Sequence, residues 1–278
     1  MNRVFTLICL LATSWVVGCS SSVEDKREEL ISESEQLKPT LEESRYDAQN
    51  VFVTLPDKNI INQLIEEKKI EYDHALLADP KAANNYPAEF YKAANLGFYG
   101  SDLIIASSFE QTQESMIYLK CVNMLAQSLG VSSAFDQTLF ERIEANKDRK
   151  DSVLSLVTNA FKRVDEILKS NNRPGTSAII LTGCWIEGLY VSAHLAIKLK
   201  DEKTNKTLID QRESLKNLIV MLNSIKLEAD QSFLIEDLKA LFSEFVRAET
   251  AAKYDAASIQ PIVTLIDALH NKLVKPAN

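Results

Sequence analysis

From residue 88 onward, apolar residues recur along the chain at the spacing of an α-helix. In 153–168 they fall at i, i+3, i+4, i+7 and i+8, and 234–246 repeats this pattern. Such spacing places the apolar side chains on one face of a helix, which can then pack against a core. Ser258 is an expected N-cap, with Pro261 in the first turn that follows it. The pattern predicts helices over 88–108, 111–129, 137–145, 150–171, 177–199, 208–225, 231–250 and 258–274.

Turn residues and polar stretches predict the remaining elements. Helical segments are expected at 57–69 and 70–79. They precede a predicted loop at 80–87, which contains two prolines and two asparagines. The polar stretch 200–207 is predicted to be a second loop.

Two helices differ from the others because they are apolar on nearly all sides. They cover 93–106 and 177–197, and Thr176 is the expected N-cap of the second. A helix that is apolar all round is buried, so both are predicted at the centre of the fold. The second is long enough to suggest a membrane span, but Glu187 and His194 within it argue against one.

The two central helices also suggest an internal duplication. Gly97-Phe98-Tyr99 aligns with Gly183-Cys184-Trp185, and similar residues follow at comparable offsets. The alignment predicts two four-helix halves, 88–172 and 176–275, related by a pseudo-twofold axis. The alternative is that amphipathic helices align easily because they share one period. Small residues that would permit close approach of the central helices are Gly97, Ser101, Gly188 and Ser192.

Glycine is scarce, and this limits the possible folds. The chain has 278 residues with only 7 glycines and 7 prolines, and 46% of its residues are hydrophobic. Average usage of about 7% would give roughly 19 glycines. Because β-barrels, β-sandwiches and glycine-loop nucleotide folds need many glycines, the composition disfavours them. The predicted fold class is all-α, as a multi-helix bundle or an α-α array.

The N-terminus has the layout of a secretory signal peptide. Residues 1–18 carry one charge, Arg3, before an apolar run that is too short for an ordinary membrane span. Val16-Val17-Gly18-Cys19 resembles the bacterial lipobox. That resemblance implies cleavage before Cys19, a diacylglycerol thioether on its sulfur and N-acylation with a fatty acid such as palmitate. The alternatives are an uncleaved anchor or a chance cysteine. Ser20 in place of an aspartate suggests delivery to the outer membrane.

The mature chain is predicted to be an acidic tether followed by one domain. Residues 19–50 are dense in charge and form the tether, and 51–278 form a single helical domain. Loss of Arg3 leaves 30 basic against 39 acidic residues, a formal charge of −9. This balance argues against a nucleic-acid partner. Of the four cysteines, only Cys121 and Cys184 remain available, and buried thiols are expected although the compartment permits a disulfide.

Polar residues on the two apolar helices are the candidates for chemistry. Asn95, Tyr99 and Asp102 share one helical face, and Glu187, Tyr190 and His194 share a face of the partner helix. If the faces meet, Asp102, Glu187 and His194 could bind a cation or a small ligand. The alternative is a satisfied polar network that fixes helix register. The candidate ligand-binding set is Tyr99, Asp102, Trp185, Glu187, Tyr190 and His194.

Recognisable catalytic motifs are missing from the sequence. There is no HExxH, no GxSxG after a strand, no Walker loop and no Cys/His cluster. His74 and His270 are isolated near helix ends, where ordinary surface or packing roles are expected. The sequence therefore predicts no cofactor and no metal site, and it favours a protein that is not an enzyme.

Three strings resemble a family of uncharacterised all-helical lipoproteins of Bacteroidota. They are residues 95–103 (NLGFYGSDL), 146–154 (NKDRKDSVL) and 183–190 (GCWIEGLY), and the resemblance covers most of 51–200. Cys184 departs from the glycine expected there. The resemblance implies a helical envelope domain and no particular chemistry. The leading hypothesis is a lipid-anchored binding or scaffold module, on the periplasmic face rather than the cell surface. The alternative is a lipoprotein that binds a small ligand or metal between the central helices.

Overall fold

Nine α-helices account for most of residues 65, 70–147 and 149–274, the part of the chain that this computed structural model describes. No strand occurs among those residues, so the all-α prediction is confirmed. The predicted signal peptide, tether and most of the segment 57–69 lie outside them. The helices are α1 Glu89–Ser108, α2 Thr112–Ser128, α3 Gln137–Ala145, α4 Lys150–Ser170, α5 Pro174–Leu199, α6 Glu202–Ile209, α7 Arg212–Asn223, α8 Phe233–Glu249 and α9 Ala256–Val274.

The two central helices, α1 and α5, pack against each other more extensively than any other described pair. Their backbones meet at Gly97 and Gly183. A Cβ atom on Gly97 would lie 2.1 Å from the carbonyl oxygen of Ile180, and one on Gly183 would lie 2.0 Å from that of Ala94. Contacts follow in the same order along both helices, from Glu89 against Thr176 to Asp102 against Glu187. The two helices therefore run parallel to each other. Their central position is the one that the pattern predicted.

The other helices surround this parallel pair. α2 packs on α1, while α4 and α9 each contact both central helices. α7 and α8 extend the bundle next to α9, and α6 packs on α5. One large core results, because the apolar stripes of the outer helices pack against the pair or against a helix that contacts it. The predicted duplication is not tested by this arrangement and stays a prediction.

α5 is the one described helix that is long and apolar enough to cross a membrane. Its most apolar 18-residue window is 89% buried inside the domain. The helix is thus packed as the core helix of a globular domain is.

Two of the predicted local elements are wrong. In place of a helix over 70–79, only His74–Leu76 forms a short 3₁₀ turn. The amide of Ala78 is instead bonded to the side chain of Asp102, and Pro80 disfavours helical backbone at the residue before it. The predicted loop 200–207 lies largely in α6. Asp201 caps that helix by accepting a hydrogen bond from the Thr204 amide at 2.9 Å.

The predicted helix ends also change in three places. α5 begins at Pro174, so Thr176 is inside the first turn and not an N-cap. Proline is favoured at this first position because its missing N–H would have no helical partner there. Asp255, and not Ser258, caps α9, since its carboxylate accepts from the Ser258 amide. Pro261 consequently lies one turn deeper in α9 than expected.

The close contact between α1 and α5 predicts a specific sensitivity to added volume. We expect Gly97→Ala to lower the free energy of unfolding by about 2–3 kcal/mol, because backbone atoms that cannot rotate away would have to separate. Urea unfolding of the mature protein measures this change as a shift in midpoint.

Gly175→Ala is the matched control for this prediction. It lies in α5, the helix that Gly97 of α1 faces, and a Cβ there would meet nothing closer than Ile225 Cδ1 at 3.9 Å. Alanine is the better helix former, so its effect should be neutral or stabilising by up to about 1 kcal/mol. Equal effects of the two substitutions would contradict the proposed close approach.

Candidate functional site

An extended segment of the chain, residues 70–87, crosses the bundle before α1 begins. We call it the strap. It contains two short 3₁₀ turns, His74–Leu76 and Pro80–Asn84. Its apolar side chains Ile70, Leu76 and Leu77 pack on a small cluster formed by α1 and α5. The strap therefore covers the side of the bundle on which the central polar residues lie.

Buried side chains of α1 and α2 bind the backbone of the strap. Asp102 Oδ2 accepts a hydrogen bond from the Ala78 amide at 3.1 Å. The Tyr99 hydroxyl donates to the Asp79 carbonyl at 2.8 Å, and the Tyr118 hydroxyl donates to the Ala78 carbonyl at 3.3 Å. Two of the predicted ligand-binding residues, Tyr99 and Asp102, thus have partners inside the protein.

Asp102 also meets Glu187 of α5, and we call these two residues the acid pair. Both side chains are fully buried. Their carboxyl groups lie close enough to shift each other's pKa, and a hydrogen bond between two carboxyl groups forms only when one of them carries a proton. Burial raises the pKa of Asp102 well above its ordinary value, and the neighbouring charge of Glu187 adds to this. Burial likewise raises the pKa of Glu187 to about 8, although the hydrogen bond with Asp102 opposes the rise.

His270 of α9 completes this polar cluster. Its Nε2 lies 2.7 Å from Glu187 Oε2. The imidazole ring stacks on Phe98, with centroids 5.1 Å apart, and on Tyr190 at 3.9 Å. The expectation of an ordinary surface or packing role missed this contact. The sequence did indicate that His270 is buried, because it continues the buried stripe of α9 through Val263, Ile266 and Leu273.

His194, which sequence reasoning placed with Asp102 and Glu187, has a different partner. Its Nε2 lies 2.8 Å from Asp267 Oδ1, and both side chains are partly exposed. Its ring contacts Tyr190 edge to face, with centroids 4.5 Å apart. Tyr190 therefore lies between the exposed His194 and the buried His270. Each of these two histidines pairs with its own carboxyl group.

Two further candidate residues are buried among the core helices. Trp185 is almost fully buried, and within the described chain its indole nitrogen has no hydrogen-bond partner. The Tyr99 hydroxyl lies 3.3 Å from that of Tyr86 as well as bonding Asp79. Burial raises the pKa of Tyr99 far above its ordinary value, and it raises that of Tyr86 to about 12. Both phenols therefore stay neutral and serve as hydrogen-bonding groups.

The surface clefts do not coincide with the acid pair. A cleft of about 440 Å³ lies between the strap and α2, where Ile117 is 44% exposed. It reaches Ala78 and Tyr118, which touch the cluster from outside, but Asp102 and Glu187 do not line it. A second cleft of about 360 Å³ lies around the first turns of α1 and α5. The polar cluster is thus enclosed by side chains and by the strap.

The side chains that could bind a metal ion do not form a coordination site in the described part of the chain. Within residues 70–147 and 149–274, no group of three or more His, Cys, Asp or Glu is arranged to hold a metal ion. Cys121 and Cys184 are both buried thiols, and Cys121 contacts the Pro80 carbonyl of the strap. The arrangement can hold protons on the fully buried acid pair and can fix the backbone of the strap.

The two histidines should differ sharply in their effect on stability. His270→Ala removes a buried ring and a partner of Glu187, so we expect the free energy of unfolding to fall by roughly 2–4 kcal/mol. His194→Ala breaks a partly exposed ion pair and should cost less than about 1 kcal/mol. Thermal or urea unfolding of both variants measures the difference, and a larger loss for His194→Ala would refute the assignment of His270 to the core cluster.

Comparison with known proteins found no relative of this chain. Family models, curated proteins and solved structures were searched, and none of them matches the chain. The lipobox and the resemblance to Bacteroidota lipoproteins therefore stay predictions from the residues that suggested them. The function has to be argued from the sequence and from the site itself.

Proposed function

We propose that this chain is a lipid-anchored protein of the outer membrane that acts as a non-catalytic binding or scaffold module on the periplasmic face. The anchor is the acylated Cys19 at the end of Val16-Val17-Gly18-Cys19. Each buried CH₂ contributes about 0.8 kcal/mol, so two or three acyl chains hold a soluble domain stably at a bilayer. The acidic tether 19–50 then separates the helical domain from the membrane surface.

One observation supports the non-catalytic part of the proposal above all others. The buried polar residues that could have formed an active site bind the protein's own strap: Asp102 binds the Ala78 amide, and Tyr99 binds the Asp79 carbonyl. A catalytic group has to reach a substrate atom within hydrogen-bond distance. These groups instead lie beneath the strap with internal partners.

The alternative is a lipoprotein that binds a small ligand or metal in a polar pocket between the central helices. The meeting of Asp102, Glu187 and His270 favours a small ligand, because two carboxyl groups and an imidazole converge there, whereas no group of three such side chains in the described chain is arranged to hold a metal ion. Ligand sites, however, are concave and open to the ligand. Asp102 and Glu187 line neither of the two clefts described above, so this alternative has the weaker support.

The anchor can be tested by one substitution. Cys19→Ser removes the only sulfur at the proposed modification site, so metabolic labelling with a radioactive or alkyne fatty acid should be lost. The protein should also leave the outer-membrane fraction. Both are measured by gel detection of the label and by membrane fractionation of the expressed full chain.

Cys9→Ser is the matched control, because Cys9 lies in the same predicted signal peptide but precedes the lipobox. It should retain both lipid labelling and membrane association. Unchanged labelling of Cys19→Ser, or equal losses in the two variants, would rule out Cys19 as the lipid site.

The binding role predicts a defined partner in the envelope. Cross-linking of intact cells with an amine-reactive reagent should give discrete adducts, and each adduct should contain this chain and the same partner protein in repeated experiments. An unrelated helical domain carrying residues 1–50 of this chain is the control, since it has the same anchor and tether. The scaffold proposal fails if the full chain gives no adduct beyond those of the control, as measured by mass spectrometry of the purified products.

A further inference from the structure

The strap is fastened to the bundle at one short stretch, Ala78 to Pro80. The side chains that hold it there come from α1 and α2. Asp102 accepts from the Ala78 amide, Tyr118 donates to the Ala78 carbonyl and Tyr99 donates to the Asp79 carbonyl. Among these three side chains only Asp102 has a carboxyl group, and it is fully buried. Its protonation state therefore acts directly on the strap.

Because Glu187 lies against Asp102, the protonation of one carboxyl group affects the protonation of the other. Asp102 touches the strap on one side and Glu187 on the other. While a proton lies between the two carboxyl groups, their contact is a hydrogen bond. If both are ionised, the same contact places two negative charges together in a site without solvent, which is strongly unfavourable.

The groups that surround the acid pair offer little compensating positive charge. Those coupled to it are tyrosines and a thiol: Tyr72 and Tyr86 from the strap, Tyr99 from α1, Tyr118 and Cys121 from α2, and Tyr190 from α5. From α9, His270 contacts Glu187, and Asp267 faces Tyr190. A protonated His270 can offset one carboxylate charge, which leaves the second uncompensated.

We propose that the acid pair is a proton-dependent latch: while it is protonated it holds the strap closed over α1 and α2, and when it loses its protons the strap opens. The ionised carboxylates need water, and the strap is the part of their enclosure that can yield. α1 and α5 cannot separate easily, because their backbones touch at Gly97 and Gly183. The strap, in contrast, contains only two short 3₁₀ turns.

Opening of the strap also changes the surface of the protein. The cleft of about 440 Å³ is lined on one side by strap residues from His74 to Lys81 and on the other by α2. Displacement of the strap removes one wall of this cleft. It also exposes the apolar cluster of Ile105, Val191 and Leu195, on which Ile70 and Leu77 pack. The latch therefore makes an apolar surface available as the pH rises.

The sign and range of the pH dependence follow from linkage. Glu187 titrates near pH 8 in the closed state and near its ordinary value of 4.5 when hydrated. The closed state thus binds more protons than the open state between these values, and closure is favoured at the acidic end. Within this window the opening equilibrium constant should rise about tenfold per pH unit for each proton released.

Hydrogen exchange of the full mature protein in detergent micelles measures this opening. The protection factor of strap peptides, after correction for the intrinsic pH dependence of exchange, should fall by about tenfold per unit between about pH 6 and about pH 8. Peptides from α8 should keep their protection, since that helix packs mainly on α7 and α9. A strap protection factor that stays constant over this range overturns the latch.

Two variants assign the effect to the acid pair. The double variant Asp102→Asn with Glu187→Gln keeps the shape of both side chains, but neither can ionise, so the pH dependence of strap protection should disappear. Asp237→Asn is the matched control, because it removes one partly exposed carboxylate of α8 that pairs with Lys272. It should leave the pH dependence unchanged. A fall that persists in the double variant, or disappears in Asp237→Asn, refutes the assignment.

A second measurement does not depend on the folding of any variant. Infrared difference spectra of the wild-type protein should show the C=O stretch of a protonated carboxyl group at about pH 6, and this band should be lost as the pH rises through about 8, the value to which burial raises the pKa of Glu187. Absence of the band at the acidic end would show that the pair is already ionised and would reject the latch. Lipid anchoring affects neither readout, so failure of the latch leaves the proposed anchor untouched.

Discussion

The backbone contact between α1 and α5 is the constraint on which the rest of the structure depends. Gly97 and Gly183 allow the two helices to approach until the carbonyl oxygen of one lies where a side chain of the other would be. Glycine inside a helix costs about 1 kcal/mol relative to alanine, and close packing offsets this cost. Because the helices run parallel in contact, residues one turn beyond the glycines must also face each other. Asp102 and Glu187 are those residues.

This geometry turns two ordinary acidic residues into a coupled and enclosed pair. A lone buried carboxylate would be costly, and the protein lowers that cost in three ways. Burial raises the pKa of both carboxyl groups and so favours a proton on the pair, the Ala78 amide donates to Asp102, and His270 lies against Glu187. The strap is thereby bound to a fully buried pair of carboxyl groups. The chemistry of the acid pair and the position of the strap cannot change independently.

The strap also occupies a particular place along the chain. It lies between Ile65, which packs on the same apolar cluster of α1 and α5 as Ile70 and Leu77 do, and the first helix. A chain of 18 residues spans at most about 60 Å when it is extended, so the strap can move away from the bundle while its two ends stay in place. The proposed opening would therefore change the surface of the domain and leave the packing of its helices intact.

Helical periodicity was sufficient to predict most helices and the central position of α1 and α5, because burial of an apolar face depends on spacing alone. It also placed Asp102 and Glu187 on facing sides. It could not identify the partner of either residue. The hydrogen bond from the Ala78 amide to Asp102 depends on the path of the strap across the bundle, and no periodic pattern in the sequence encodes that path. The contact of His270 with Glu187 was missed for a related reason. A histidine on the buried stripe of a helix has the same sequence pattern whether it packs against apolar side chains or pairs with a carboxyl group. Only the position of α9 against α5, which is set by the fold as a whole, brings it to Glu187.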